Sequence, residues 1–344
     1  TANLKQIYLY DSAICQQLPF EVCHTSDDLS RLVSTLKKLG GDIRVVMEHT
    51  GNYWRPLALT LKKAGFFVSV VNAMLIHDFS DNSIRKLKTD RADSLKIANY
   101  ALTFWNELPP FNDEEETRLL LKTQSRMYER ITTTATALKN GLIALSDQTF
   151  AGVNLIFDDA TKSTEGHFKW VDFFMHYWHR DCVCKFKLEA FMESYRCWCK
   201  KKKYRFRSEI AQKVYESAKK SVSTLPKCES TKILITQACK SLNAICEAKQ
   251  ACQCEMQRLA SLLPEYDIVM SMEGAGPVTG PILMAEIGDV RRFKNKKALV
   301  AFAGVDAPPF QSGAFESKSR HVSKRGSPHL RRTLFTVSGI ILQL

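Results

Sequence analysis

The alternation of short apolar runs with helical stretches over the first 72 residues constrains the fold most. "LKQIYL" (4–9) and "ICQQLPFEV" (14–22) read as strands around the turn "YDSA". "SDDLSRLVSTLKKLGG" (26–41) reads as a helix, with Ser26 as candidate N-cap. Leu29, Leu32, Val33 and Leu36 form its apolar face, and glycines stop it. "IRVVMEH" (43–49) is β-rich, "YWRPLALTLKKAG" (53–65) helical and "FFVSVVN" (66–72) β-rich again. Such an order predicts a mixed or parallel sheet with helices packed on it. "NSIRKLKTDRADSLKIANYAL" then reads as a loop entering a helix.

A different kind of sequence follows the Pro-containing joint "ELPPFN" (107–112). "DEEETRLLLKTQSRMYERITTTATALKNGLIALSDQTF" reads as one long helix whose acidic first turn suits a helix N-terminus. Residues 151–226 are aromatic and basic and resist a simple periodic reading. Between 230 and 263, Leu242, Ile245, Cys252, Met256, Leu259 and Leu263 recur at helical spacing, interrupted by Lys249. This stripe predicts a helix packed on a partner helix in a coiled coil, and with it a homo-oligomer, dimer or tetramer. The last 80 residues are rich in glycine and basic side chains. No internal repeat or low-complexity tract is visible.

Charge narrows the partners. Forty-nine Lys and Arg against 36 Asp and Glu leave a net +13 over 344 residues. That excess favours a polyanion, either nucleic acid or an anionic membrane, over the plainer reading of a basic soluble protein. No apolar run reaches the roughly 18 residues of a membrane span, and "TANLKQIYLY" has no signal-peptide core. A cytoplasmic, nucleoid-associated protein of a prokaryote is expected. The 11 cysteines include Cys-x-Cys pairs at 182/184, 197/199 and 252/254. Reduced thiols are the simplest reading; zinc is the alternative, although the pairs are one residue short of its usual spacing.

Three carboxylates stand out. Glu48 ends a strand in an α/β context, where functional groups collect. Asp90 and Asp93 in "LKTDRADSLKIA" are three apart, on one face if helical. Two such carboxylates repel unless one keeps its proton or a divalent cation joins them. Mg²⁺ takes one or two carboxylates plus water and phosphate oxygens, and Lys88 and Arg91 beside them suit a phosphodiester. A solvated helix N-terminus, which also favours acids, is the competing reading.

Two C-terminal stretches suggest backbone contacts to nucleic acid. In "SMEGAGPVTGPILMAEIGDVRRF", Gly274 and Gly276 open a turn that could offer N–H groups to a phosphate, as in a helix-hairpin-helix, or simply join two helices tightly. Lys318, Arg320, Lys324, Arg325, Arg331 and Arg332 form an acid-free basic run. Ser312 lies in "QSG" within reach of this run. On the residues alone it reads as a turn serine, with Ser317, Ser319, Ser323 and Ser327 as rivals.

Together "VVMEHTGNYW", "KTDRADSLKIA" and "AEIGDVRRF…AFAGVDAPPFQSG…SKRGSPHLRRTLF" resemble the DEDD-type insertion-sequence transposases, relatives of the Piv and MooV DNA invertases, from about residue 14 to 335. The resemblance implies an α/β ribonuclease-H-like (RuvC-like) domain over 1–110. A helical coiled-coil connector over 111–264 and a small, mostly helical C-terminal transposase domain over 265–344 would follow. It implies DNA strand cleavage and exchange dependent on one or two Mg²⁺ ions, with Mn²⁺ as an alternative. Glu48, Asp90 and Asp93 match three of four metal-binding acids, and Ser312 matches a nucleophile that forms a phosphoserine–DNA intermediate. The implied partners are double-stranded DNA, at the element ends and the target, and a structured guide RNA that reads sequence by pairing.

Two departures qualify this. The family's first acid lies on a first strand upstream of the part matched here, and Asp11 falls in the expected turn. The similarity also extends, in family members, past the point where this chain stops. A trimmed or degenerate copy is therefore expected. A RuvC-like endonuclease that uses water, and an inactive nucleic-acid-binding remnant, are the alternatives.

Overall fold

A computed structural model describes residues 5–10, 17–49, 51, 53–80, 90–112, 115–157, 166–307, 311–312, 315–316 and 321–343, with backbone only for 5–10, 17–21, 80, 90–92, 311–312 and 315–316. The chain divides into two compact units, Thr1–Asp113 and Glu114–Leu344.

In the first unit, β1 (Lys5–Tyr10) pairs antiparallel with β2 (Gln17–Val22), Lys5 opposite Val22. Helix α1 (Ser26–Leu39) follows. Its cap is Thr25 rather than Ser26: Thr25 is extended and its hydroxyl accepts the Asp28 N–H at 3.2 Å, whereas Ser26 is already helical. Strand β3 (Arg44–Glu48), helix α2 (Trp54–Lys63) and β4 (Phe67–Val71) form a parallel βαβ unit, with Arg44 opposite Phe67 and Glu48 opposite Val71. A helix not anticipated from the sequence, α3 (Ala73–Ser80), comes next. The Asn72 side chain accepts the Met74 N–H beside its start at 3.0 Å. Helix α4 (Asp90–Thr103) completes the unit.

Side chains of β3 and β4 alternate between two clusters, as the two-residue period of a strand requires. Val45, Met47, Val68 and Val70 join Leu32, Leu36, Trp54, Leu57 and Leu61 of α1 and α2. Val46, Phe67 and Val71 join Ile76, Ile97, Tyr100 and Ala101 of α3 and α4. The parallel pair is thus covered on both faces. Strands β1 to β4 form two separate ladders among the described residues, β1–β2 and β3–β4, and α4 packs against both β1 and β3.

The second unit is built on two long helices. Its elements are α5 (Glu116–Thr149), α6 (Val153–Ile156), α7 (Lys169–His176), α8 (Arg180–Cys184), α9 (Leu188–Lys201), α10 (Ser208–Lys220) and α11 (Glu229–Ser261). After these come α12 (Tyr266–Met270), α13 (Thr279–Ile287), α14 (Lys296–Ala303), the hairpin β5 (Gln311–Ser312) and β6 (Phe315–Glu316), and α15 (Pro328–Ile341). Helices α5 and α11 run antiparallel. Arg118 pairs with Glu265 at one end, Cys252 donates to the Gln124 carbonyl, and Leu142 meets the cluster of Ile235 and Leu242 further along.

This pairing corrects one expectation. Leu242, Cys252, Met256, Leu259 and Leu263 are buried within this chain, with α5 as the partner helix of α11. The stripe is therefore no argument for a second copy. Lys249 is tolerated because its ammonium lies 5.3 Å from the centre of the Tyr128 ring.

Between the long helices, α6–α10 build a separate aromatic core around Trp170, Phe173, Phe174, Phe191, Tyr195 and Trp198. Its rings come from several short helices and a connecting segment, which explains why no single period was visible in the sequence. Asp172, only 2% exposed, accepts from Tyr204 Oη at 2.7 Å and Asn243 Nδ2 at 2.9 Å, which ties the insertion to α11. The Cys-x-Cys pairs lie on helices. Positions two apart there point to different faces, so Cys197 and Cys254 are exposed while Cys199 and Cys252 are buried. Burial pushes Cys239 up to about 12 and raises Cys199, as expected of packing thiols rather than reactive ones. Among the described residues, no helix is long and apolar enough to cross a membrane.

The C-terminal elements are held to α5 by ions. Glu286 on α13, 2% exposed, receives both Arg126 Nε and Nη2 at 2.8 Å and the Ser327 hydroxyl at 3.2 Å. Removing Arg126 leaves a buried carboxylate uncompensated. Arg126→Ala is expected to cost about 2–3 kcal/mol in urea unfolding, whereas Arg258→Ala, whose pair with Glu255 is exposed, is expected to leave the unfolding midpoint unchanged.

Candidate functional site

The direction of α4 on the sheet decides where the acids go. Arg44, at the start of β3, donates to the carbonyl of Trp105, just past the end of α4, and its guanidinium lies 4.5 Å from the Trp105 ring centre. The C-terminal end of α4 therefore sits at the N-terminal end of β3. Midway, Ile97 packs with Val46. The helix runs antiparallel to the strand, which brings its first turn, with Asp90 and Asp93, to the end of β3 that carries Glu48. From Asp93 to Trp105 the helical rise is roughly 18 Å and from Arg44 to Glu48 the strand spans roughly 13 Å, so the two arms are comparable. Asp93 lies one turn before Ile97 and two before Ala101, on the sheet-facing side of α4.

The backbone after Glu48 is pinned. The His49 N–H donates to Val71 O at 2.8 Å, the His49 ring packs tilted against Trp54 with centres 5.0 Å apart, and Trp54 Nε1 donates to Gly51 O at 3.1 Å. Gly51 has φ +56, which suits a residue without Cβ. Glu48 is half-buried; Asp93 is 46% exposed and accepts from Lys96 Nζ at 3.3 Å. An exposed i,i+3 pair contributes at most about 0.5 kcal/mol, too little to exclude a divalent cation. Two half-exposed carboxylates at one end of a sheet match the oxygen donors and open positions of Mg²⁺. Among the described side chains, no group of three or more His, Cys, Asp or Glu could hold a metal ion; the Asp90 side chain lies outside them.

Ser312 is the last residue of β5, paired with Phe315 of antiparallel β6. The segment 323–327 is clamped onto the end of α14. Ser323 N–H donates to Asp306 O at 2.8 Å, Lys324 N–H to Gly304 O at 3.1 Å and Ser327 N–H to Phe302 O at 2.6 Å. Gly304, at φ +67, and Gly326 make this possible. A Cβ on Gly304 would stand 2.6 Å from Arg331 Nη1 and 2.7 Å from Gly326 N, and one on Gly326 would collide with the Phe302 carbonyl. The motifs "AFAGVD" and "SKRGSP" are two halves of one backbone-to-backbone contact. Two of the rival serines have structural tasks here: Ser323 binds Asp306 and Ser327 caps α15.

The expected nucleic-acid contacts divide. Lys324 and Arg325 are exposed. Arg331 instead donates to the Ala303 carbonyl at 3.2 Å, and Arg332 pairs with Glu129 of α5 at 2.6 Å. Both are engaged in holding α15 in place. The glycine turn is bonded internally. The Ala275, Gly276 and Gly280 N–H groups donate to Met272 O, Thr279 Oγ1 and Gly276 O, all within the protein. Gly274, at φ +76, lets the turn approach Val337 and Ile341 of α15. Close helix packing is thus one task of Gly274, and Gly276 is held by Thr279. Lys88, Lys318 and Arg320, with the Arg91 and Ser312 side chains, lie outside what the structure describes.

Sequence reasoning missed Glu129. Burial acts to raise its pKa, but hydrogen bonds and charge from His329 and Arg332 prevail and lower it from the ordinary 4.5. Its contribution is therefore present above pH 4.5 and lost as pH falls through the lower folded value. The acid limb of thermal stability between pH 5 and pH 3 is expected to flatten in Glu129→Gln (a scanning-calorimetry series, roughly as linkage requires). Gly326→Ala is expected to lower the melting midpoint by several degrees and make residues 305–327 protease-sensitive, with Arg325→Ala unchanged.

Comparison with known proteins fits this arrangement. A family model described as "Transposase" (DEDD type, IS110) matches residues 11–151, and a second, "Transposase IS116/IS110/IS902 family", matches residues 266–343. The Streptomyces coelicolor "Insertion element IS110 uncharacterized 43.6 kDa protein" is 23% identical over 131 residues, 38% of this chain and 32% of that protein. The Sinorhizobium fredii "Putative transposase y4rJ" is 37% identical over 71 residues, 21% of this chain and 17% of that one. The matched stretches thus span about a third and about a sixth of those relatives. The first family segment holds Glu48, Asp90 and Asp93 and runs through the end of α5; the second begins after α11 and holds Ser312. The chain belongs to the IS110 family of insertion-sequence transposases.

Proposed function

We propose that this protein cleaves and exchanges DNA strands at the ends of an insertion sequence, with Mg²⁺ at the carboxylates and Ser312 as nucleophile. The observation that carries the reading is the antiparallel seating of α4 on β3, which gathers Asp93 and Glu48 at one end of the sheet. Parallel β3–β4 covered on both faces, with antiparallel β1–β2 beside α4, supports a ribonuclease-H-like first unit.

Glu48 and Asp93, with Asp90, would hold the ion. The bound ion supplies charge neutralisation at the phosphodiester oxygens. Attack by the Ser312 hydroxyl forms a serine–phosphate ester and releases a sugar hydroxyl, while the serine proton passes to a base. Because the phosphoester is conserved, a second strand's hydroxyl can displace the serine and rejoin DNA without an external energy source. A water nucleophile would lose that bond, so the serine route suits exchange. One serine per chain binds one strand end, and exchange between two duplexes needs at least two cuts. More than one copy therefore acts together. Lys324 and Arg325, both exposed, would meet backbone phosphates. Guidance by a structured RNA rests on the resemblance and the basic charge.

Glu48→Gln or Asp93→Asn is expected to reduce Mg²⁺-dependent cleavage of an element-end duplex by a factor on the order of 100 or more, with DNA binding retained. Ser312→Ala should abolish an SDS-stable protein–DNA adduct. Undiminished cleavage in Ser312→Ala would instead establish the hydrolytic, RuvC-like alternative. Undiminished cleavage in all three variants would remove the proposal.

A further inference from the structure

The net charge is concentrated where neither family model reaches. Between 166 and 228 the chain carries 15 Lys and Arg against six Asp and Glu, a net +9 of its +13. The remaining 281 residues share +4. Thirteen of the 15 cations are exposed, whereas Lys169 is buried and Arg180 binds the Ser221 carbonyl.

These cations converge from separate helices. Lys185 follows α8, Lys201 ends α9 and Lys202 follows it, and Lys219 in the last turn of α10 donates to the Cys184 carbonyl at 3.5 Å. All of them lie around the end of α7 and α8. His176, the last residue of α7, has its pKa lowered first by burial and then by the charges of Lys201, Lys185 and Lys202. The local potential is therefore positive. Lysines in a last helical turn complement the helix dipole, but the run continues through Lys202 and Lys203 to Arg205 and Arg207, beyond α9. Dipole compensation does not require so many.

The surface has the chemistry of a backbone binder. Its Phe, Tyr and Trp rings are buried or half-buried among the described residues, so it offers no stacking platform for single-stranded bases. Lysines outnumber arginines, giving point charges rather than base-reading forks. From Glu129, where α15 is clasped, to Thr149 at the end of α5 the helix rises roughly 30 Å, the length of about nine base pairs of duplex.

We propose that the α7–α10 insertion is a second docking surface for duplex DNA, holding the phosphate backbone about one helical turn away from the C-terminal elements. The inference goes beyond the cleavage chemistry and rests on it only for the choice of DNA. Such contacts position a duplex and carry no sequence information.

The test is the salt dependence of binding to a duplex of about 40 base pairs, without divalent ions, for Lys185→Gln/Lys201→Gln/Lys202→Gln. The slope of log K against log salt is expected to fall by about 2–3, with the isotherms converging at high salt. Lys200→Gln/Arg205→Gln/Arg207→Gln should do the same. Lys37→Gln/Lys38→Gln/Lys63→Gln on the first unit should change the slope by less than about 1. Thermal melts check the fold of each. An unchanged slope in both insertion variants, or an equal fall in the first-unit variant, overturns the proposal. A fall seen only with an RNA duplex of the same sequence overturns the assignment to DNA. Because no cleavage is read, failure of the Ser312 chemistry would leave this result intact, and the converse also holds.

Discussion

The antiparallel contact of α5 with α11 is the interaction on which the second unit depends. Each helix alone exposes an apolar stripe over more than 30 residues, and pairing them buries Leu121, Leu142, Leu242, Met256 and Leu259 together. The hairpin then separates two tasks along one axis. At the α5 start, Arg118, Arg126 and Glu129 bind Glu265, Glu286 and the His329–Arg332 pair, holding the C-terminal elements that carry Ser312. At the α5 end, Leu142, Phe150 and the aromatic insertion form another core. Rigid pairing is what keeps these ends at a constant separation.

The ionic contacts at the start of the hairpin are of unequal weight. Arg126–Glu286 is a two-pronged contact to a buried carboxylate, so its geometry is demanding and the cost of breaking it is high. Arg332–Glu129 is more exposed, yet it shares its carboxylate with His329 and so forms part of a network. Three arginines and a histidine in a basic protein thereby make contacts within the fold. The exposed cations outside this set include those on the insertion and the pair Lys324 and Arg325.

Much of the first unit was legible because strand and helix periods differ. The order of β1 to β4 with α1, α2 and α4 follows from apolar runs and turn residues. Helix α3 was not, because "AMLIHDFS" is too short and too evenly apolar to show a period. At the candidate site, Glu48 could be placed at a strand end, and Asp90 and Asp93 on the first turn of a helix. That Asp93 and Glu48 lie at the same end depends on the direction of α4, and Arg44 with Trp105 reveals it only once the chain is folded. The intramolecular contacts of Arg331, Arg332, Gly274 and Gly276 were not legible for one reason. An arginine or glycine in a motif looks alike whether its partner is a phosphate or a carbonyl of the same chain. The charge of the insertion was countable from the start, but its meaning depended on seeing several helices bring it to one surface.

What the sequence determined by itself is local. Periodicity, caps and turn chemistry act over a few residues, so element identities, the motif acids and the excess of positive charge are written there. Tertiary structure decided which helix partners α11, which end of the sheet receives Asp93, and which arginines are already engaged. Those are contacts between residues far apart in the chain, such as Arg126 with Glu286 and Glu129 with Arg332. Burial and the need to satisfy charge in a packed interior select them, and no spacing along the chain encodes that selection.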